Sequence, residues 1–391
     1  MRRLVVLVSA VVLVDTAFYA TVAPLLPHYA DELDLSKAAA GVLAGSYAAG
    51  TLIGALPGGW VAGRVGVKPT VLLGVTFMSV SSLVFGFAHH IVLLDAARFV
   101  QGVGGAFSWA GAMAWLIEDA PSERRGELIG TALGAAIGGA LLGPVVGTLA
   151  DEVGTKPVFG SVVVVGALLA AWVWRTPVGH PRAGAAGDVR GAVRHPAVAV
   201  GMWLVALPAL CFGAVAVLVP LRMDHLGAGS VAVGAMFLVA AGFEAIVSPL
   251  IGRLSDRRGR FVPLRLGLAL SAPLIVSLAL PQRAFVLAAL VVAVASALGT
   301  FWAPAMALLS DAADGAGLSQ GMAFALTNLA WAVGQTTGSA AGGALAGATA
   351  DAVPYALLCA VCVLTLGALV GGRQARQSAF IRRSKALGRS A

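Results

Sequence analysis

The stretch Ser248–Arg265, SPLIGRLSDRRGRFVPLR, is a short and strongly basic link between two long apolar runs. An apolar run of about 18 residues or more is long enough to cross the hydrocarbon core of a bilayer as a helix. The link therefore lies where one membrane helix leaves the bilayer and the next one enters it. It contains the spaced motif G-x-x-x-D-R-x-G-R, formed by Gly252, Asp256, Arg257, Gly259 and Arg260.

A second copy of this frame occurs 193 positions earlier in the chain. Its residues are Gly59, Gly63, Arg64 and Gly66. The offset is close to half of the 391 residues, and it also separates Pro27 from Pro220, where we expect the first helix of each half to end. A frame repeated at this distance indicates a duplicated membrane protein.

The composition excludes a soluble globular domain. Hydrophobic residues make up 59% of the chain and charged residues 11%, whereas about 25% of the residues in soluble domains are charged. The sequence predicts an all-α membrane protein with twelve transmembrane helices in two pseudo-symmetric six-helix bundles. The predicted spans are 4–27, 38–62, 69–88, 91–117, 127–150, 157–174, 197–221, 231–251, 263–280, 284–309, 319–347 and 354–371.

Four segments follow from these spans. We expect the two bundles at 1–174 and 197–371, joined by a linker at 175–196 and followed by a basic tail at 372–391. The linker is rich in Gly, Ala, Pro and Arg and has no hydrophobic periodicity, so we expect it to be flexible.

The basic residues indicate the orientation in the membrane. With the N-terminus placed in the cytoplasm, most of the 26 Lys and Arg residues fall in cytoplasmic segments. This asymmetry follows the positive-inside rule, so we predict a multi-pass protein of the plasma membrane (the cell inner membrane) with both termini and the linker cytoplasmic. It also explains the formal net charge of +8 without a nucleic-acid partner. The basic tail is expected to contact anionic lipid headgroups.

Four motifs give the chain a resemblance to a known family. They are the loop at 252–260, L-x-x-x-R-F-V-Q-G-x-G at 94–104, the glycine–proline motif of Gly143, Pro144 and Gly147, and Asp15 followed by P-L-L-P at 24–27. With these motifs the whole chain resembles the major facilitator superfamily, in its drug:proton antiporter branch of bacterial multidrug and vesicular amine transporters. The resemblance implies proton-coupled efflux of small lipophilic or cationic compounds by alternating access.

The loop of the first half departs from the family motif at one position. Gly63 stands where the second half has Asp256. In relatives this acid helps to hold the cytoplasmic side shut against the N-terminus of a neighbouring helix. Its absence implies that the lock is weakened or carried by Asp256 alone, which would bias the resting protein toward opening inward.

Ionisable side chains inside a bilayer are costly and usually face a cavity or a partner. Asp15 lies near the centre of the first helix and Glu244 near the centre of the eighth, so both are candidates for proton coupling. The alternative for each is a structural hydrogen bond to a neighbouring helix. Arg98 needs Asp95, Asp15 or a backbone carbonyl as a partner. It either tunes a nearby acid or ties helices together.

Aromatic and amide side chains inside the spans are candidates for substrate contact, although a single aromatic residue more often serves packing. One stripe on the eleventh helix, with i, i+3 and i+7 spacing, carries two amides that need partners. The series Gly130, Gly134 and Gly138 has the spacing that lets membrane helices approach closely. The candidate substrate residues are Asp15, Tyr19, Trp109, Met113, Trp302, Asn328, Trp331 and Gln335.

Other functions stay open at this point. A protein of the same fold could export another metabolite such as a sugar or an amino acid, work as a uniporter, or be a non-transporting membrane sensor. An enzyme is not expected, because the sequence contains no nucleophile–base pair, no Walker loop and no cluster with metal-ligand spacing, and neither a cofactor nor a metal is predicted. The expected partners are a small-molecule substrate, protons and membrane lipid, for a protein that acts as a monomer.

Overall fold

The structure, a computed structural model, describes residues 1–119, 125–178, 189–318 and 320–387. Within these ranges, side chains are not described at 125–127, 129, 249, 256, 320, 321 and 372–387. The regular secondary structure of the described residues is helical throughout. A helix satisfies its backbone hydrogen bonds internally, which is the condition for crossing a bilayer.

The helices are numbered in chain order. The first half contains α1 (Arg2–Ala20), α2 (Val22–Glu32), α3 (Lys37–Arg64), α4 (Val67–Phe87), α5 (Ile91–Asp119), α6 (Arg125–Val153) and α7 (Thr155–Arg175). They are followed by α8 (Val189–Arg194), α9 (Pro196–His225), α10 (Ser230–Arg258), α11 (Phe261–Ser277), α12 (Ala284–Gly299), α13 (Trp302–Gly315), α14 (Gln320–Ala348) and α15 (Ala352–Leu387).

Ten helical segments in the described part of the chain are long and apolar enough to cross a membrane. In two of them a pair of helices forms one span, since α1 meets α2 at Thr21 and α12 meets α13 at Thr300 and Phe301. Two further helices complete the predicted set: α11 is apolar but only 17 residues long, and α14 has 29 residues. The predicted all-α membrane fold is confirmed.

Two predicted helix ends are wrong. Pro27 lies inside α2, which continues to Glu32, and Pro220 lies inside α9, which continues to His225. A proline removes one intrahelical hydrogen bond and bends a helix. Packing against neighbouring helices carries both helices past their prolines.

The predicted linker and tail contain more helix than expected. Residues 189–194 of the linker form α8, in which Ala192 is buried. Residues 179–188 lie outside the described part of the chain, so the predicted flexibility of that stretch stays a prediction. The backbone of α15 continues from its membrane span through most of the basic tail to Leu387.

Buried apolar side chains form two clusters. The larger one extends through both halves, from Phe18 in α1 to Cys362 in α15. The smaller one lies in the first half and joins α1, α4, α5, α6 and α7, with Trp115 and Met113 among its buried members. The packing of the two halves against each other therefore depends on the larger cluster.

The two halves meet tightly at one end of the bundle, which we call the closed end. There α3 packs against α14 so closely that a Cβ atom on Gly41 would lie 2.5 Å from the carbonyl oxygen of Ser339. Only a residue without a side chain allows the two backbones this approach. Lys37, the first residue of α3, also forms an ion pair with Asp351 of the other half.

A second pair of helices, α6 and α10, meets at the same closed end. A Cβ atom on Gly234 of α10 would lie 2.1 Å from Oγ1 of Thr148 in α6. That hydroxyl is 3.5 Å from the carbonyl oxygen of Ser230. The closed end is thus sealed by two helix pairs, each made of one helix from either half.

The same helix faces are free at the other end, which we call the open end. An α-helix returns to the same direction after five turns, or about 18 residues. Gly59 follows Gly41 by this distance, and Gly252 follows Gly234 by the same distance. No described atom lies within 4 Å of a Cβ built on Gly59 or on Gly252. The helices that touch at the closed end therefore diverge toward the open end.

The glycine seam of α6 is displaced from the predicted one. Gly130 and Gly134 have no described atom within 4 Å of an added Cβ. The close contacts are made by the following set, where an added Cβ would come within 2.3–2.4 Å of Leu13, Ala20 or Thr21: Gly139, Gly143 and Gly147. The prediction for the 130–138 series is wrong, because four-residue spacing defines a helix face but not the height at which a partner helix meets it.

Candidate functional site

A cavity of about 430 Å³ lies between the two halves. Its volume falls in the range of small-molecule sites, about 300–1,000 Å³, and its wall is mostly apolar. In the described part of the chain no group of three or more His, Cys, Asp or Glu residues is placed to hold a metal ion. The predicted residues that line the cavity are Asp15, Tyr19, Arg98, Trp109, Pro144, Glu244, Trp302, Asn328, Trp331 and Gln335.

Asp15 is the most tightly held carboxyl group of this cavity. It is 2% exposed, and its Oδ2 accepts hydrogen bonds from the Tyr47 hydroxyl and from Nε1 of Trp109, both at 2.9 Å. The other oxygen, Oδ1, has no hydrogen-bond partner among the described residues. Gly105 leaves room for it, since a Cβ there would lie 2.9 Å from Oδ1. One oxygen is therefore held by two donors, and the other is buried without a hydrogen-bond donor among the described residues.

Tyr47 is a site residue that the sequence does not reveal. It lies on α3, is buried, and its ring is 4.9 Å from the ring of Tyr19 and 5.0 Å from the guanidinium carbon of Arg98. A single tyrosine in an apolar span resembles an ordinary packing residue. Its role depends on helix positions, which no spacing in the sequence specifies.

The two terminal nitrogens of Arg98 bind neutral oxygen atoms, whereas its buried Nε has no hydrogen-bond partner among the described residues. Its guanidinium donates to the carbonyl oxygens of Phe18 and Tyr19, each at 3.1 Å, and to Oε1 of Gln101 at 2.5 Å. These two carbonyls belong to the last turn of α1, where the aligned carbonyl dipoles of a helix attract cations. Of the three partners considered from the sequence, the backbone carbonyl is the one that the structure shows. Asp95 lies instead beside Ser46.

Glu244 faces the cavity from α10 in the other half. Its carboxyl group is hydrogen-bonded to the side chain of Trp302. Trp302 is the first residue of α13, directly after the break in the α12–α13 span, and its ring stacks on Phe212 with centroids 6.3 Å apart. A Cβ on Gly299 would lie 2.9 Å from the Glu244 side chain, so this glycine makes space for the acid.

Aromatic contacts connect the two halves across the cavity. Tyr19 of α1 meets Trp331 of α14 edge to face, with ring centroids 5.3 Å apart. Trp109 of α5 stacks on Phe324 of α14 at 5.8 Å and an interplanar angle of 16°. The predicted stripe of α14 faces the cavity as a whole, since Asn328 and Gln335 line it on either side of Trp331.

Met113 is the predicted substrate residue that does not line the cavity. It is 2% exposed and packs in the smaller apolar cluster of the first half. Its distance of four residues from Trp109 places both on one side of α5. Trp109 lines the cavity but Met113 does not, so this part of the prediction is wrong.

The repeated motif lies at the open end. Gly66 and Gly259 have positive φ angles of 115° and 86°, which favour glycine at both turns. Arg64 lies over the Trp60 ring at 5.5 Å, and Arg260 binds Asp311 of α13. The side chain of Asp256 lies outside the described part, and Arg257 is exposed.

Gly63 leaves open space in the same loop. A Cβ built at this position meets no described atom within 4 Å, as at Gly59 one turn earlier. An aspartate there would therefore fit without displacing a described neighbour. The expected weakening of the lock stays a prediction.

Comparison with known proteins gives a family match over most of the chain. Residues 8–335 match the family model described as Major Facilitator Superfamily. The multidrug resistance protein 1 of Bacillus subtilis is 31% identical over 110 residues, which are 28% of this chain and 28% of that protein. The quinolone resistance protein NorA of Staphylococcus aureus is 27% identical over 109 residues, with the same coverage. The matched part spans only about a quarter of these curated relatives.

Solved structures share the fold at low sequence identity. A bacterial homologue of the human lysosomal transporter Spinster, solved in an inward-facing and unoccupied conformation, is similar with a TM-score of 0.71 and 16% identity, covering 94% of each chain. A D-xylose–proton symporter gives a TM-score of 0.71 and 18% identity, covering 93% of this chain and 95% of that one.

Proposed function

Because the chain belongs to the Major Facilitator Superfamily, we propose that it is a secondary active transporter that exports small lipophilic or cationic compounds in exchange for protons. It is a multi-pass membrane transporter and not an enzyme. The observation that carries the proposal is Asp15, a buried carboxyl group on the wall of an apolar cavity, with one oxygen held by two donors and the other without a donor among the described residues.

The chemistry follows from competition for this carboxyl group. A proton neutralises Asp15, whereas a bound organic cation requires its charged form, so the two exclude each other. Such competition couples the proton flux to the cation flux. In each change of conformation the carboxyl group carries either a proton or an organic cation across the membrane, and never both. The Tyr19 and Trp109 rings lie beside Asp15 and offer π faces to a cation.

Neighbouring groups hold the carboxyl group in place. Tyr47 and Trp109 fix Oδ2 from two other helices, and the guanidinium carbon of Arg98 lies 5.0 Å from the centre of the Tyr47 ring. We assign Arg98 a positioning role, since its two terminal nitrogens bind carbonyl and amide oxygens. Glu244 is assigned as a second proton site.

The closed and open ends correspond to one state of alternating access. In transporters of this kind the two halves rock about a central site. With the open end placed in the cytoplasm, as the basic loops around Arg64 and Arg257 predict, the structure is inward-open. We propose the same two units as the sequence predicts, 1–174 and 197–371, as the moving bodies.

Transport in proteoliposomes tests the proposal. The protein is reconstituted with a pH gradient and a membrane potential clamped at zero, and uptake of radiolabelled tetraphenylphosphonium into the acidic compartment is followed. We expect accumulation by the wild type and by Asp95→Asn, whose acid does not line the cavity, and none by Asp15→Asn. Accumulation by Asp15→Asn would remove Asp15 from the coupling step. The absence of gradient-driven transport in the wild type would overturn the proposed function.

A second candidate function is the transport of an uncharged polar metabolite such as a sugar. Its support is the pair of amides, Asn328 and Gln335, on the cavity wall formed by α14, because amides bind hydroxyl groups through both donors and acceptors. In the same vesicles this function predicts counterflow of a neutral solute that is unaffected by Asp15→Asn and abolished by Asn328→Leu.

A further inference from the structure

Trp109 and Trp302 are equivalent positions of the two halves. They are separated by 193 residues, the same offset that relates the repeated motif. Each lies beside a carboxyl group on the cavity wall: Nε1 of Trp109 donates to Asp15, and the Trp302 side chain is hydrogen-bonded to Glu244. The repeat has thus kept an indole at the same place in both halves, each with an acid as its partner.

The two acids are not related by the repeat. The position equivalent to Asp15 is Pro208, and the position equivalent to Glu244 is Thr51. Asp15 reaches its tryptophan from α1, whereas Glu244 reaches its tryptophan from α10, the counterpart of α3. Duplication alone therefore does not account for two carboxyl–indole pairs facing one cavity.

Each pair has its own aromatic wall. Around Asp15 the rings of Tyr19 and Tyr47 lie 4.9 Å apart, and Trp331 closes the group from the other half. Around Glu244 the Trp302 ring is stacked on Phe212. A carboxylate next to aromatic faces is the arrangement that proteins use for quaternary ammonium groups.

The charges of the cavity wall are distributed unevenly between the two acids. Among the described lining residues, the acids are Asp15 and Glu244 and the basic residue is Arg98. Arg98 directs its donors to two carbonyls and an amide, and it lies in the first half, beside Asp15. Glu244 makes no ion pair within the described part of the chain and has no basic residue beside it on the wall.

We propose that the cavity contains two cation subsites, Asp15 with Trp109 and Glu244 with Trp302, and that its substrates include organic dications with two charged groups joined by an apolar spacer. The remaining wall is mostly alanine and valine, which suits the spacer. This inference rests on the proposed function, because it names the substrate class of the same site.

The two-subsite proposal is tested by measuring the affinity of cationic probes for the purified full-length protein at one fixed pH. The probes are α,ω-bis(trimethylammonium) alkanes of increasing spacer length and the alkyltrimethylammonium ions of matching length. We expect an optimal spacer at which the dication binds about tenfold more tightly than its matched monocation. Glu244→Gln should reduce this affinity ratio to about one. Asp95→Asn, an equivalent change outside the cavity, should leave the ratio intact.

Trp302→Phe provides a second variant, since it keeps a ring and removes the indole N–H. We expect it to lower the dication-to-monocation ratio by a severalfold factor. The two-subsite arrangement would be overturned if dications bind the wild-type protein no more tightly than monocations at any spacer length. It would also be overturned if the dication-to-monocation affinity ratio is unchanged in both variants. If monocations are still transported, the proposed function stands without the two-subsite arrangement. If neither probe binds the wild type, the two-subsite arrangement fails, and the tetraphenylphosphonium transport assay decides the proposed function separately.

Discussion

Gly41→Ala should loosen the closed end. The added Cβ would lie 2.5 Å from the Ser339 carbonyl oxygen and 3.3 Å from Cα of Gly343. Both atoms belong to the backbone of α14, so no side chain can rotate away to relieve the contact. The two helices must separate by part of an ångström, and this strain exists only while the closed end is closed.

Overpacking of this kind costs about 1–3 kcal/mol, which changes a population ratio by about 5- to 150-fold. A closed-to-open ratio of about 100 to 1 at this end, an ordinary value for a minor state, would fall to between about 20 to 1 and below 1 to 1. Gly59→Ala is the matched control. It lies on the same face of α3, changes helix propensity equally, and its Cβ meets no described atom.

Spin-label distances across the closed end measure this shift. The labels are placed at Asp31→Cys and Ala350→Cys, two exposed positions in opposite halves, after the three native cysteines have been replaced. We expect a longer-distance component in Gly41→Ala that is weak in the parent protein and in Gly59→Ala. Identical distance distributions for the two alanine variants would refute the assignment of the α3–α14 contact as the seal.

Three other expectations concern the two ends and the orientation. Lys37→Met removes the ion pair with Asp351 and should also raise the population of the longer-distance component. The increase should be smaller than in Gly41→Ala, since a partly exposed pair contributes about 0.2–1 kcal/mol. An unchanged distance distribution at low and high salt would count against a role of this ion pair. Gly63→Asp should favour closing of the open end by about 0.3–1 kcal/mol, seen as slower thiol labelling there, and an unaltered rate would argue against a lock at this loop. Arg194→Cys should be protected from an impermeant thiol reagent in intact cells while Ala350→Cys is labelled, and the opposite pattern would reverse the predicted topology.

Much of the site follows from single helices. Asp15 and Glu244 are identifiable because an acid in the middle of an apolar span needs a special environment. The stripe of Asn328, Trp331 and Gln335 is identifiable because helical periodicity places all three on one face. These inferences concern one helix at a time, and the structure places all five side chains on one cavity.

The parts that sequence reasoning misses depend on pairs of helices. Tyr47 becomes a partner of Asp15 only because the packing of the helices brings its hydroxyl within 2.9 Å of the carboxyl group on α1. Met113 and the Gly130 series have the right spacing, yet their helices meet other neighbours or none at those positions. Periodicity predicts which way a residue faces, and it carries no information on what stands opposite.

The proposed competition of proton and cation for Asp15 is tested most directly by measuring proton release on cation binding. Purified protein in a weakly buffered solution with a pH-sensitive dye is titrated with tetraphenylphosphonium. We predict that the wild type and Asp95→Asn release protons as the cation binds, whereas Asp15→Asn binds without release. Equal proton release from Asp15→Asn and the wild type would show that Asp15 is not the group for which the two ions compete.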